Sequence, residues 1–202
     1  MKKLFFIFLA LMFLGWVFQS CDNTSKSQQA IPPKNALELI SEAYENNNLD
    51  KVISIGDTLI GEDDPKNISI IYAEALAAKG NIEKAINVLN KKIATNPNDY
   101  YLYQTKGNIF YIAEEYDSAI INYDKVIELG PAYARPYVCE GEIYTIIGEK
   151  QKAIARYLEA VRLFGANDFI DETLYFCNTV LELDSTNVEV KRYLEQIQAS
   201  QE

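Results

Sequence analysis

The chain predicts an all-α fold, a solenoid of stacked helical hairpins, and three observations carry that prediction. Residues recur at an interval of 34: Tyr103, Gly107, Ala119, Tyr123 and Leu129 are followed by Tyr137, Gly141, Ala153, Tyr157 and Leu163. The same step leads back from Ala119 to Ala85 and from Pro131 to Pro97. A fixed period of this length marks supersecondary units that bury a core only by stacking on their neighbours. Within a unit, apolar residues fall at helical spacings of 3, 4 and 7 (Tyr116, Ala119, Ile120, Tyr123, Val126, Ile127). Finally, 202 residues with 49% apolar content suit one moderate domain that needs no disulfide staples.

Taken in order, the elements begin with Met1-Lys2-Lys3 and an apolar run of 15 residues from Leu4 to Phe18. That run is short for a membrane span, which takes ~20 residues, and fits the core of a signal peptide over residues 1–20. It closes on Phe18-Gln19-Ser20-Cys21. A small residue then Cys at this point resembles the lipobox of bacterial lipoproteins, with Phe18 and Gln19 standing where leucine and a small residue are usual. The resemblance implies cleavage before Cys21 and lipid attachment to it, and acyl chains there would hold the protein at a membrane surface. Residues 21–33, polar and closed by Pro32-Pro33, read as a flexible tether.

Four units follow, over residues 33–65, 66–99, 100–133 and 134–167. In the clearest, residues 100–133, the first helix carries Tyr103, Ile109, Phe110 and Ile112 as its apolar groups, and Glu114-Glu115 form the turn. Gly107 and Ala119 are small where two antiparallel helices would otherwise collide, and Pro131 ends the second helix. Residues 66–99 keep Ala73, Leu76, the Gly80-Asn81 turn, Ala85, Leu89 and Pro97. Residues 33–65 are weakest, as suits an end unit with one neighbour. The pattern resembles the tetratricopeptide repeat, whose aromatic, Gly and Tyr, then Ala, aromatic and Ala, then Pro match Tyr103, Gly107, Phe110, Ala119, Tyr123, Val126 and Pro131. That resemblance implies a right-handed solenoid. Beyond residue 167 the 34-residue pattern breaks. Residues 168–202 read as two closing helices: one capped by Asp168, apolar on more than one face, and a final one with a narrow stripe of Val190, Leu194 and Ile197.

In tetratricopeptide proteins the first helices line a concave groove that binds extended peptides or partner helices. By that resemblance the groove-facing residues here include Tyr44, Ile70, Glu74, Tyr101, Gln104, Asn108, Tyr111, Arg135, Val138 and Glu142. Tyrosine, amide and arginine anchor protein interfaces because they bury area while keeping a polar handle. The clamp that chaperone-binding members use for a C-terminal carboxylate is missing, since Leu37, Ile70 and Val138 occupy its places.

Other chemistries are disfavoured. The chain has no histidine, and its three cysteines form no Cys-x-x-Cys pair, which removes the usual general base, nucleophile pairs and zinc sites. The acidic clusters Glu62-Asp63-Asp64, Glu114-Glu115 and Asp171-Glu172 fall in turns or at a helix start and lack any nucleophile–base pairing. No cofactor, metal or small-molecule substrate is expected. A formal charge of −10 argues against nucleic acid. Cys139 and Cys177 read as buried thiols, with a disulfide between them as the alternative. The expectation is a non-enzymatic, lipid-anchored scaffold for a protein or peptide partner in the bacterial cell envelope, its folded body periplasmic, with the outer membrane favoured over the inner. The alternative is a structural or assembly-factor subunit of an envelope complex docked by its ends or convex face. A plain anchored homodimer is a third arrangement.

Overall fold

The computed structural model describes residues 33–59 and 66–201; Cys21, the tether and Glu62-Asp63-Asp64 lie outside the described residues. These hold ten helices: α1 (Pro33–Glu45), α2 (Leu49–Leu59), α3 (Lys66–Ala78), α4 (Ile82–Thr95), α5 (Tyr100–Ile112), α6 (Tyr116–Leu129), α7 (Arg135–Ile146), α8 (Lys150–Ala166), α9 (Ile170–Leu183) and α10 (Val188–Gln201). Each helix packs on the next in chain order, and α3 also touches α1 and α5.

One turn builds every hairpin. Asn47, Gly80, Glu114 and Gly148 all take positive φ, between 53° and 82°, at the ends of α1, α3, α5 and α7. After each, a backbone N–H reaches back five residues: Asn48 to Ala43, Asn81 to Leu76, Glu115 to Phe110 and Glu149 to Tyr144, at 2.8–2.9 Å. This is the Schellman ending, which satisfies the last helical carbonyls through a left-handed residue. Glycine takes that conformation freely, whereas a residue with a Cβ is strained by ~1–2 kcal/mol. Glu114→Gly relieves that strain and is expected to stabilise the fold by about 1 kcal/mol in urea denaturation.

The turn appears a fifth time at Asp168, only 20 residues after Gly148, where Phe169 N–H reaches back to the Phe164 carbonyl at 3.0 Å. Asp168 therefore does not cap α9; the cap position belongs to Phe169, because the Schellman turn occupies the residues before it. Gly165 stands where Pro131 and Pro97 end the earlier second helices, so nothing stops α8 and it runs on to Ala166. The lengthened α8 pairs backward with α7 and forward with α9.

Counting from the left-handed residue exposes the core rule. Seven before and nine after it stand Ile40 and Gly56, Ala73 and Leu89, Gly107 and Tyr123, Gly141 and Tyr157, and Val161 and Cys177, all buried. A Cβ on Gly107 would lie 2.7 Å from the Tyr123 ring, and one on Gly141 2.6 Å from the Tyr157 ring. In these two hairpins a glycine on one helix makes room for a ring on its partner. Gly56 instead makes room for Tyr72 of α3, and the last hairpin fills the same places with two middling residues. Five after the turn, Val52, Ala85, Ala119, Ala153 and Thr173 are all buried. Tyr103 and Tyr137 fasten consecutive units, donating to the Pro97 and Pro131 carbonyls at 3.0 and 3.4 Å.

One sequence expectation is corrected here: Ile112 is 65% exposed at the end of α5. Helix α9 is covered by α8 on one side and α10 on the other, which bury Cys177 and Val180, while Phe169 and Ile170 at its start remain exposed. Cys139 and Cys177 are both free thiols, in separate apolar clusters, with no disulfide between them.

Candidate functional site

The residues expected to face the groove all lie on α1, α3, α5 and α7. On α1, the Tyr44 hydroxyl donates to Glu74 Oε2 of α3 at 2.8 Å. Burial raises the Glu74 carboxyl above its ordinary value, and the Tyr44 hydrogen bond offsets part of that shift. Ile70 packs partly against the N-terminal core.

On α5 the residues divide by function. Tyr101 is 48% exposed, its ring stacked on Tyr100 at 4.2 Å, and Tyr100 in turn meets Tyr133 at 5.6 Å. Asp99 holds the start of this helix by accepting from the Tyr101 backbone N–H. Gln104 is buried and donates through Nε2 to Asn108 Oδ1 at 2.9 Å, and the same oxygen accepts from the Tyr123 hydroxyl. Asn108 is thereby committed to the interior. The Gln104 carbonyl oxygen is buried with no donor. Tyr111 is half-buried, edge-on to Tyr116, and burial pushes its hydroxyl up to about 12.

On α7, Arg135 is exposed and Val138 is buried in the helix packing. Glu142 is partly buried; desolvation pushes its carboxyl up to about 6, while Arg135 on the same helix pulls it part-way back. Glu142 opens onto a cleft of about 360 Å³ whose floor is Tyr157 of α8 and whose far wall is Tyr175, Phe176, Thr179 and Glu182 of α9. Sequence reasoning left α9 out of the groove. The signal was available: the 34-residue step from Glu142 and Thr145 lands on Phe176 and Thr179.

A separate buried cluster lies between α6, α7 and α8. Glu140 has no exposed side-chain surface and pairs with Arg156 at 2.5 Å, and Arg156 also reaches Asp124 at 3.5 Å. The approach of Arg156 is too bent for a hydrogen bond, so neither Glu140 oxygen has an aligned donor. Burial pushes the Glu140 carboxyl up to about 8 against the pull of Arg156. Among the described residues, no three potential ligands gather as a metal site, and no helix is long and apolar enough to cross a membrane.

Solved structures share this architecture. A thermophilic TPR protein of Thermus thermophilus superposes with a TM-score of 0.55 at 17% identity, over 83% of this chain and 100% of the other. The fold is a tetratricopeptide solenoid. A MamA fragment, residue 41 to the end, from Desulfovibrio magneticus RS-1 matches this array with a TM-score of 0.57 at 19% identity, over 77% of this chain and 97% of its own. A second MamA crystal structure gives 0.55 at 19% identity, over 78% and 94%. No family model matches the tetratricopeptide array of this chain.

Proposed function

We propose that this chain is a scaffold that holds a protein or peptide partner in its groove, and not an enzyme. One observation carries the reading: Tyr44, Glu74, Tyr101, Tyr111 and Glu142 stand along successive first helices and continue into the α7–α9 cleft. An interface anchored by tyrosines with adjacent polar groups suits protein recognition. With Cys21 as lipid attachment site, the array sits at a membrane surface in a bacterial envelope, its body periplasmic and the outer membrane favoured.

The test is photocrosslinking in cells from Tyr101, an exposed position among the residues expected to face the groove. A discrete captured partner is expected, and Cys21→Ala should shift the protein from the membrane fraction to the soluble one. Crosslinks absent from Tyr101 yet abundant from Ile112 would favour the alternative, an assembly subunit docked by its edge. The exposed Ile112, Ile146 and Ile147 at the hairpin turns are the observation behind that alternative.

A further inference from the structure

The α7–α9 cleft narrows the partner's chemistry, and this inference rests on the groove reading just given. The cleft walls are aromatic. Tyr157 and Phe176 stack at 5.7 Å with 21° between their planes. Phe164 continues the stack beyond Phe176 at 5.6 Å and 5°, and Tyr175 stands edge-on to Phe176 at 4.9 Å and 89°. Rings stacked in this way hold one another's rotamers, so the walls are in place before a ligand arrives.

Phe176 is sandwiched between Tyr157 and Phe164, so the exposed Tyr175 is the ring whose electron-rich surface a ligand can meet. Glu142 from α7 and Glu182 from α9 add two carboxylates to the same space, and no lysine or arginine lines it. Neither carboxylate is held in an ion pair among the described residues.

Three kinds of ligand can be compared on these grounds. An anion would meet two like charges. An apolar side chain would cover the two carboxylates without compensating their lost hydration. A cation answers the rings and both carboxylates together, and the net charge of −10 draws it in. At about 360 Å³ the cleft lies at the small end of ligand pockets, which suits a single side chain.

We propose that the α7–α9 cleft seats a lysine or arginine side chain of a basic, extended partner segment running along the groove. The probe is a fluorescein-labelled octapeptide of alternating glycine and arginine, with a citrulline version of the same shape but no charge. Anisotropy titration of the intact chain should show the arginine peptide binding at least about tenfold tighter. Glu142→Gln with Glu182→Gln should weaken it about tenfold, and Tyr175→Ala about fivefold, while Tyr175→Phe keeps the affinity. Tyr175 is 61% exposed, so its truncation spares the fold. Glu83→Gln with Glu195→Gln makes the same charge change at exposed sites elsewhere and should leave binding within about twofold.

Equal binding of the citrulline peptide would overturn the proposal, and so would an equal loss in the Glu83/Glu195 pair. If the Tyr101 crosslink to the native partner persists at full yield in the Glu142/Glu182 variant, the groove reading stands and the cation reading falls. If the unchanged chain gives no crosslink from Tyr101, the groove reading fails, and the peptide titration still decides the cleft.

Discussion

Gly141→Val is expected to cost the fold about 2–3 kcal/mol, and Tyr157→Cys in the same chain is expected to return most of that loss. The first effect follows from space: a Cβ on Gly141 would sit 2.6, 2.8 and 2.9 Å from three atoms of the Tyr157 ring. Tyr157 is buried among Ala153, Ile154 and Val161, so the ring cannot step aside. Tyr157→Cys alone should cost about 3 kcal/mol, through the cavity it leaves. The pair is the chain's own solution at Val161 and Cys177, which are fully buried at the equivalent places of the last hairpin. A urea-denaturation double-mutant cycle measures the coupling, expected at about 2–3 kcal/mol. Simple additivity would refute the size-complementarity rule.

The fold is expected to be more stable at pH 5 than at pH 8. Burial, helped by the nearby Asp124, pushes Glu140 from the ordinary 4.5 up to about 8, against Arg156. Between those values the folded chain holds a proton that the unfolded chain has released. The contribution is therefore complete below about 4.5 and disappears as pH rises through 8. At 1.36 kcal/mol per unit it is on the order of 5 kcal/mol. Glu142 acts in the same direction, its part exhausted by about pH 6, and Glu74 follows suit. The lowered carboxyls of Asp57 and Asp184 titrate below this window and leave it unaffected. Glu140→Gln should flatten the thermal-midpoint profile above pH 6. It should leave the value at pH 5 nearly unchanged, because the amide stands in for the protonated carboxyl. A midpoint that climbs from pH 5 to pH 8 would contradict the assignment.

The period of 34 made much of this fold legible, because small and aromatic residues at fixed places report directly on helix contacts. Ala119, Tyr123, Ala153 and Tyr157 were read as interior positions and are buried. Other features leave a fainter trace. The left-handed turn residue is Asn, Gly, Glu, Gly and Asp in turn, so its recurrence lives in backbone geometry more than in side-chain identity. The 20-residue step to Asp168 escapes a search tuned to 34. Glu140 reads as an ordinary helical carboxylate until Arg156 is placed beside it. In the groove, Gln104, Asn108 and Val138 occupy facing places on a helical wheel. The hydrogen bond from Tyr123 and the packing of α7 turn them inward.

Helix α8 belongs to two hairpins at once, and this bears on how the array comes apart. In a repeat protein each unit boundary is a seam where cooperativity can fail, and terminal units open first. The seam between Asn96 and Asp99 is of that kind, a short loop joining helices of different units. Between α7 and α9 there is no such joint, because the helix that completes one hairpin is also the first half of the next. The helices from α7 to α9 therefore open and close as one body, and the end that carries the cleft is protected from the fraying that its position would otherwise bring.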